Sequence, residues 1–172
     1  VLAPATGQRT SGSTYIRSPE GYLGWFEYME SAGTPVQRWK RPLADLTAQT
    51  VADSDPQTLI RIYSGIVNQY QAWDRQWLNE WLAAGNTLIA LGVNTRIEDV
   101  PFTSRQASPF GEVVVKTRRR QDLAVNSDYN LLGDELGAVV WQQERDDPSG
   151  QLYLAATPHL AANAYLNEPG NY

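Results

Sequence analysis

The residues that could do chemistry in this chain are few, and their types limit it sharply. His159 is the only histidine and there is no cysteine, so thiolate zinc sites, iron–sulfur clusters, multi-histidine metal sites, cysteine nucleophiles and CxxC redox motifs all lack their ligands. Oxygen donors alone remain for a metal, and none of the acidic pairs Asp53/Asp55, Asp134/Glu135 and Asp146/Asp147 has calcium-loop spacing. No cofactor and no metal is therefore expected. As a general base His159 would want an orienting carboxylate, and Glu168 is the nearest in sequence. A turn histidine bonded to backbone is the plainer role.

Four small polar residues join His159 as ligand-binding candidates: Ser18, Asn94, Thr95 and Asn163. Ligands of open α/β sheets bind beyond the carboxyl ends of the strands. Asn94 and Thr95 follow a strand candidate ending at Leu91, and His159 and Asn163 follow one ending near Ala156. Ser18, beside Arg17, stands where the first free amides of a helix could take an anion. Ordinary capping competes with binding at each of these places.

Six tryptophans suggest a sugar-stacking platform. Yet Trp73, Trp77 and Trp81 recur every four residues and share a face with Tyr70, the mark of a helix packed on a sheet. Lys116, Arg118, Arg119 and Arg120 make the one dense positive run. On a strand, alternation sends Arg118 and Arg120 to one face and Arg119 to the other. A solvated, charged edge is the default reading, and contact with an anionic lipid or an acidic partner is the sharper one.

The elements that must position these groups read as follows. Val1 to Tyr15 is an aperiodic leader or linker arm. Ser18-Pro19-Glu20 carries the signals of a helix start, and the helix runs to about Ala32 with Gly33 as its stop. Val36-Gln37-Arg38-Trp39 is a short strand candidate, and Leu59-Ile60-Arg61-Ile62-Tyr63 is a second, entered from Asp53-Ser54-Asp55-Pro56. A helix from about Asn68 to Ala84 ends at Gly85, and Thr87-Leu88-Ile89-Ala90-Leu91 is a strand buried on both faces. Ser31-Ala32-Gly33 before Val36 and Ala83-Ala84-Gly85 before Leu88 repeat one helix-to-strand design, which predicts alternation and a parallel sheet. Residues 97–138 break the rhythm and read as an insertion containing an antiparallel β-hairpin. Ala138–Arg145 and Gln151–Ala156 flank the turn signal Asp146-Asp147-Pro148-Ser149-Gly150 and predict an antiparallel pair.

Length and charge set the outer bounds. At 172 residues one domain, residues 16–172, is the default, and roughly 70% of the unfolded surface is buried on folding. The net charge of −5, from 14 Lys plus Arg against 19 Asp plus Glu, argues against a nucleic-acid partner. No run of 18 apolar residues is present to span a membrane. Val1, with Met29 as the sole methionine, reads as a cut site downstream of an anchor.

Ser18-Pro19-Glu20-Gly21-Tyr22, Gln37-Arg38-Trp39-Lys40-Arg41-Pro42-Leu43, Trp81-Leu82-Ala83-Ala84-Gly85-Asn86-Thr87-Leu88-Ile89 and the closing Leu154-Ala155-Ala156-Thr157-Pro158-His159-Leu160-Ala161-Ala162-Asn163 together resemble the bacterial domain-of-unknown-function family 4350. The resemblance spans about Thr14 to Tyr172. It implies an α/β fold: a three-layer, flavodoxin-like, class I glutamine-amidotransferase-like sheet, mostly parallel. It also implies a membrane-anchored parent protein. Active enzymes of that superfamily place a Cys at the sharp turn after a central strand. The equivalent turn here, Leu91-Gly92-Val93-Asn94-Thr95, has neither a thiol nor a Gly-x-Ser-x-Gly elbow, so the fold name does not carry catalysis.

The resulting expectation is a non-catalytic binding or protein-interaction module. It would be the soluble extramembrane domain of a larger membrane-anchored bacterial protein, extracytoplasmic, with other membrane or envelope proteins as partners. The rival readings are a hydrolase-like enzyme using His159 with a carboxylate, and a carbohydrate-binding domain using exposed Trp.

Overall fold

A computed structural model of the chain describes residues 12–50, 55–68, 71–122, 129–146 and 149–172. Within them lie three helices, α1 (Leu23–Ser31), α2 (Leu43–Thr50) and α3 (Arg75–Ala83). The strands are β1 (Thr58–Val67), β2 (Thr87–Val93), β3 (Arg96–Ile97), β4 (Thr103–Ser108), β5 (Gly111–Lys116), β6 (Arg119–Arg120), β7 (Asn130–Asp134), β8 (Gly137–Gln142) and β9 (Gln151–Ala155). Two 3-10 turns, Asn163–Tyr165 and Pro169–Asn171, close the chain.

The apolar run of β2 has no side fit for water, and it becomes an inner strand of a five-stranded sheet ordered β1-β2-β9-β8-β7. β1, β2 and β9 are parallel, with Leu59 opposite Leu88 and Leu88 opposite Leu152. One face carries Leu88, Ala90, Leu152 and Leu154 against Trp77, Leu78, Trp81 and Leu82 of α3. The other face carries Ile62, Leu91 and Ala155 against Tyr22, Trp25, Val114 of β5 and Tyr165. Gly33 and Gly85 adopt left-handed φ of 79° and 82° where α1 and α3 stop, the conformation that glycine takes without a Cβ clash. Gly92 has φ 99°, and a Cβ there would lie 2.9 Å from the Gly65 carbonyl and 3.1 Å from the Pro158 ring.

The expected flavodoxin-like, class I glutamine-amidotransferase-like fold is overturned. Of the six ladders among the described residues, only β1–β2 and β2–β9 are parallel, while β3–β6, β4–β5, β7–β8 and β8–β9 are antiparallel. The connection from β8 to β9 is too short for a crossover helix, so the strands must turn back on each other. The alternation that predicted a parallel sheet holds only for β1, α3 and β2. The helix-to-strand unit leading into Val36 fails because Val36 to Lys40 joins no ladder among the described residues.

Two helices also differ from expectation. Ser18-Pro19-Glu20 forms a turn, in which the Gly21 amide donates to the Ser18 carbonyl at 2.9 Å, and α1 begins only at Leu23. α3 begins at Arg75, where Asp74 accepts from the Trp77 amide at 2.8 Å as an N-cap. Residues 1–11 of the expected leader, Asp53 and Ser54 of the turn before β1, Tyr70 of the Trp face, and Asp147 and Pro148 of the turn before β9 lie outside the described residues.

Candidate functional site

The strand-end candidates fall into separate local networks. Asn163 Nδ2 donates to the Ile16 and Ser18 carbonyls, each at 2.8 Å, and its Oδ1 accepts from the Gly24 amide at 2.8 Å. One side chain thus caps α1 from across the molecule, closing an orphan amide that Tyr22 at the N-cap leaves open. Ser18 contributes its carbonyl to this junction. Asn94 and Thr95 belong elsewhere: Arg119 Nη1 donates to Asn94 Oδ1 and to the Thr95 carbonyl, both at 2.7 Å. The buried Thr95 hydroxyl has no partner among the described residues.

His159 is half-buried. Its amide donates to Thr157 Oγ1 at 3.3 Å and its carbonyl accepts from the Ala162 amide at 3.5 Å. Burial of the imidazole pulls its pKa below the ordinary 6.5, against a smaller upward pull from the Glu20 charge. Glu168, the carboxylate nearest in sequence, instead faces Arg105 at 3.5 Å. A base oriented and made more basic by a carboxylate is therefore not what this ring presents.

The positive run is split: Lys116 and Arg118 stay exposed, Arg119 is partly buried and Arg120 is withdrawn from solvent. Arg120, read as solvated from the sequence, has no exposed surface. Its Nε and Nη2 donate to Asp134 Oδ2 at 2.9 and 2.7 Å, and its Nη1 donates to the Thr117 and Arg119 carbonyls at 3.2 and 2.9 Å. The expected sharing of one face by Arg118 and Arg120 fails, because Arg118 lies outside β6 and is exposed, while Arg120 enters a network joining β4, β6 and β7. Gln106 Nε2 completes it by donating to Asp134 at 3.4 Å. Partial burial acts to raise the Asp134 pKa, and the Arg120 hydrogen bonds and charge outweigh it, holding the carboxyl below its usual range.

The sugar platform also disappears into the core. Trp77 and Trp81 are 8% and 1% exposed and stack at 5.8 Å between centroids. Their indole N–H groups donate to the Leu43 and Thr87 carbonyls at 2.9 and 3.1 Å. Trp73 is partly buried against the same cluster.

A groove that the sequence reading passed over lies on the α1 side of the Val36 to Arg41 segment. Tyr15, Phe26, Glu30 and residues 36–41 line a shallow, open groove of about 550 Å³. Thr34-Pro35 and Pro42 bound an extended stretch whose side chains alternate, so that residues two apart share a neighbour. The Arg38 guanidinium lies 4.4 Å from the Tyr15 ring centroid and 3.7 Å from that of Phe26, while Lys40 Nζ lies 4.8 Å from Tyr15. On the other side Arg41 lies 4.4 Å from the Trp39 ring. Arg38 is fixed further by Nε donating to Thr14 Oγ1 and Nη2 donating to the Thr14 carbonyl, both at 3.0 Å. The interleaving of cations and aromatics in Arg38-Trp39-Lys40-Arg41 was the signal available beforehand; it was read only as a strand and a breaker.

A second groove, of about 360 Å³, runs between α2 and α3 with Asp74 and Glu80 on its wall and no cationic residue lining it among the described residues. Among the described residues no group of three or more His, Asp or Glu side chains could hold a metal ion, and no helix is long and apolar enough to cross a membrane.

A family model described as Domain of unknown function (DUF4350) matches residues 14–172. No curated protein and no solved structure matches.

Proposed function

From the premise that the chain belongs to the DUF4350 family, we propose that this domain is a non-catalytic binding module working through the groove formed by Tyr15, Phe26 and residues 36–41. The observation that carries the proposal is the set of cations already seated on aromatic rings along an extended, solvent-facing segment. Cation–aromatic packing fixes the charged heads before a ligand arrives, which lowers the ordering cost of binding. The polar residues at the strand ends are meanwhile engaged in holding the fold together.

The domain serves, on this reading, as the extramembrane part of a membrane-anchored bacterial protein on the extracytoplasmic side, with membrane or envelope proteins as partners. That placement rests on what resemblance to the family implies about its parent proteins. A pull-down of the anchored full-length protein from detergent-solubilised membranes tests it. Specific envelope proteins are expected with the native sequence and lost with Lys40→Glu. An identical set retained by Lys40→Glu sinks the assignment to this groove.

A further inference from the structure

We infer that the ligand of this groove is a short acidic peptide segment in extended conformation, its carboxylates two residues apart. The inference rests on the groove being the binding surface proposed above, and it adds the chemistry of the occupant.

Three observations converge on a chain rather than a compact anion. First, no backbone N–H or C=O from Val36 to Lys40 has a backbone hydrogen-bond partner among the described residues. An extended segment with unpaired amides is a template for a second strand. Second, Arg38 and Lys40 share the Tyr15 ring, so they point to one side of the segment. Their spacing along an extended chain is roughly 6.6 Å, the same repeat that alternate side chains of a partner strand present. Third, Arg38 Nε and Nη2 donate to Thr14, while Lys40 is exposed.

The same geometry argues against other anions. The donors are side chains strung along a strand, not a nest of amides closing on one phosphate. Glu30 on the α1 wall repels carboxylates at that end and turns an acidic chain toward the Lys40 side.

The test is fluorescence anisotropy of the purified full chain with a fluorescein-labelled octapeptide alternating Glu and Thr. Its controls are a Gln-for-Glu version and a version with the same four Glu contiguous. Saturable binding of the alternating peptide, weaker for both controls and reduced at least about tenfold by Lys40→Glu, supports the inference. Lys40→Gln, which removes the charge without reversing it, should fall between. Unchanged urea midpoints establish that both variants fold. Equal binding of the contiguous peptide, or no effect of Lys40→Glu, overturns it. Inorganic pyrophosphate and equimolar phosphatidylglycerol–phosphatidylcholine vesicles run as parallel arms. If either binds in a Lys40-dependent way while the peptide does not, the groove remains the binding surface and the peptide inference falls. If nothing binds, both fall.

Discussion

Asn163 shows how a polar residue at a strand end can be indispensable without touching a ligand. Its three hydrogen bonds join the C-terminal turn to the Ile16–Ser18 segment and to the start of α1. Asn163→Ala is expected to cost about 1–3 kcal/mol, since each lost bond is worth about 1 kcal/mol net and the Gly24 amide is left without its cap; urea denaturation measures it. His159 gives a second residue-scale prediction. Its pKa is lowered mainly by burial, so the unfolded chain binds its proton more readily than the folded one. Stability is then full above the ordinary 6.5 and declines as pH falls from there toward the folded value. As the only imidazole, it yields a single pair of titrating carbon-bound ring protons, Hε1 and Hδ2, in an NMR spectrum, with a midpoint expected below 6.5; a midpoint above it would show that the Glu20 charge outweighs burial. The roles of Asn163 and Arg119 were not legible in the sequence, because the partners that define them lie 139 and 25 residues away.

At the scale of elements, periodicity was legible where the burial was one-sided or complete. The Trp77–Trp81 spacing placed the buried face of α3 correctly, and the apolar run of β2 became an inner strand. Trp81→Ala should cost about 3–5 kcal/mol through cavity formation, read from the shift in urea midpoint. The helix start at Ser18 was misread because Pro and a hydroxyl also suit a turn, and the chain uses them as one. The basic run misled for a different reason: the chain leaves β5 at Lys116 and pairs again only from Arg119, so alternation does not carry across Arg118. The Arg120–Asp134 pair yields its own prediction. Asp134→Asn leaves a fully buried guanidinium without its counter-charge and should cost about 2–3 kcal/mol at neutral pH, the lower end for buried pairs because Asp134 is partly exposed. The carboxyl pKa is depressed in the folded state. Its contribution is therefore complete above the unfolded value of about 4 and fades as pH falls through the folded one. The gap between native and variant chains in urea melts should be constant from about pH 7 to 5 and shrink below about 4.

For the whole molecule, local patterns in the sequence identified most strands but not how they assemble. A strand signature is silent on direction, and the parallel sheet was inferred by extending the β1–α3–β2 unit to a segment, Val36 to Lys40, that forms no strand among the described residues. That segment failed as a strand because its cations settle on Tyr15, Phe26 and Trp39, and the same failure created the groove. Its solvated, extended backbone is the feature that the proposed function needs. The most direct measurement is site-specific photo-crosslinking in membranes, with a benzophenone side chain at the exposed Gln37 of the groove and, as control, at the exposed Asp99 outside it. The account predicts a discrete adduct from position 37 that disappears with Lys40→Glu and is absent from position 99. No adduct at 37, or the same adducts from both positions, would contradict it.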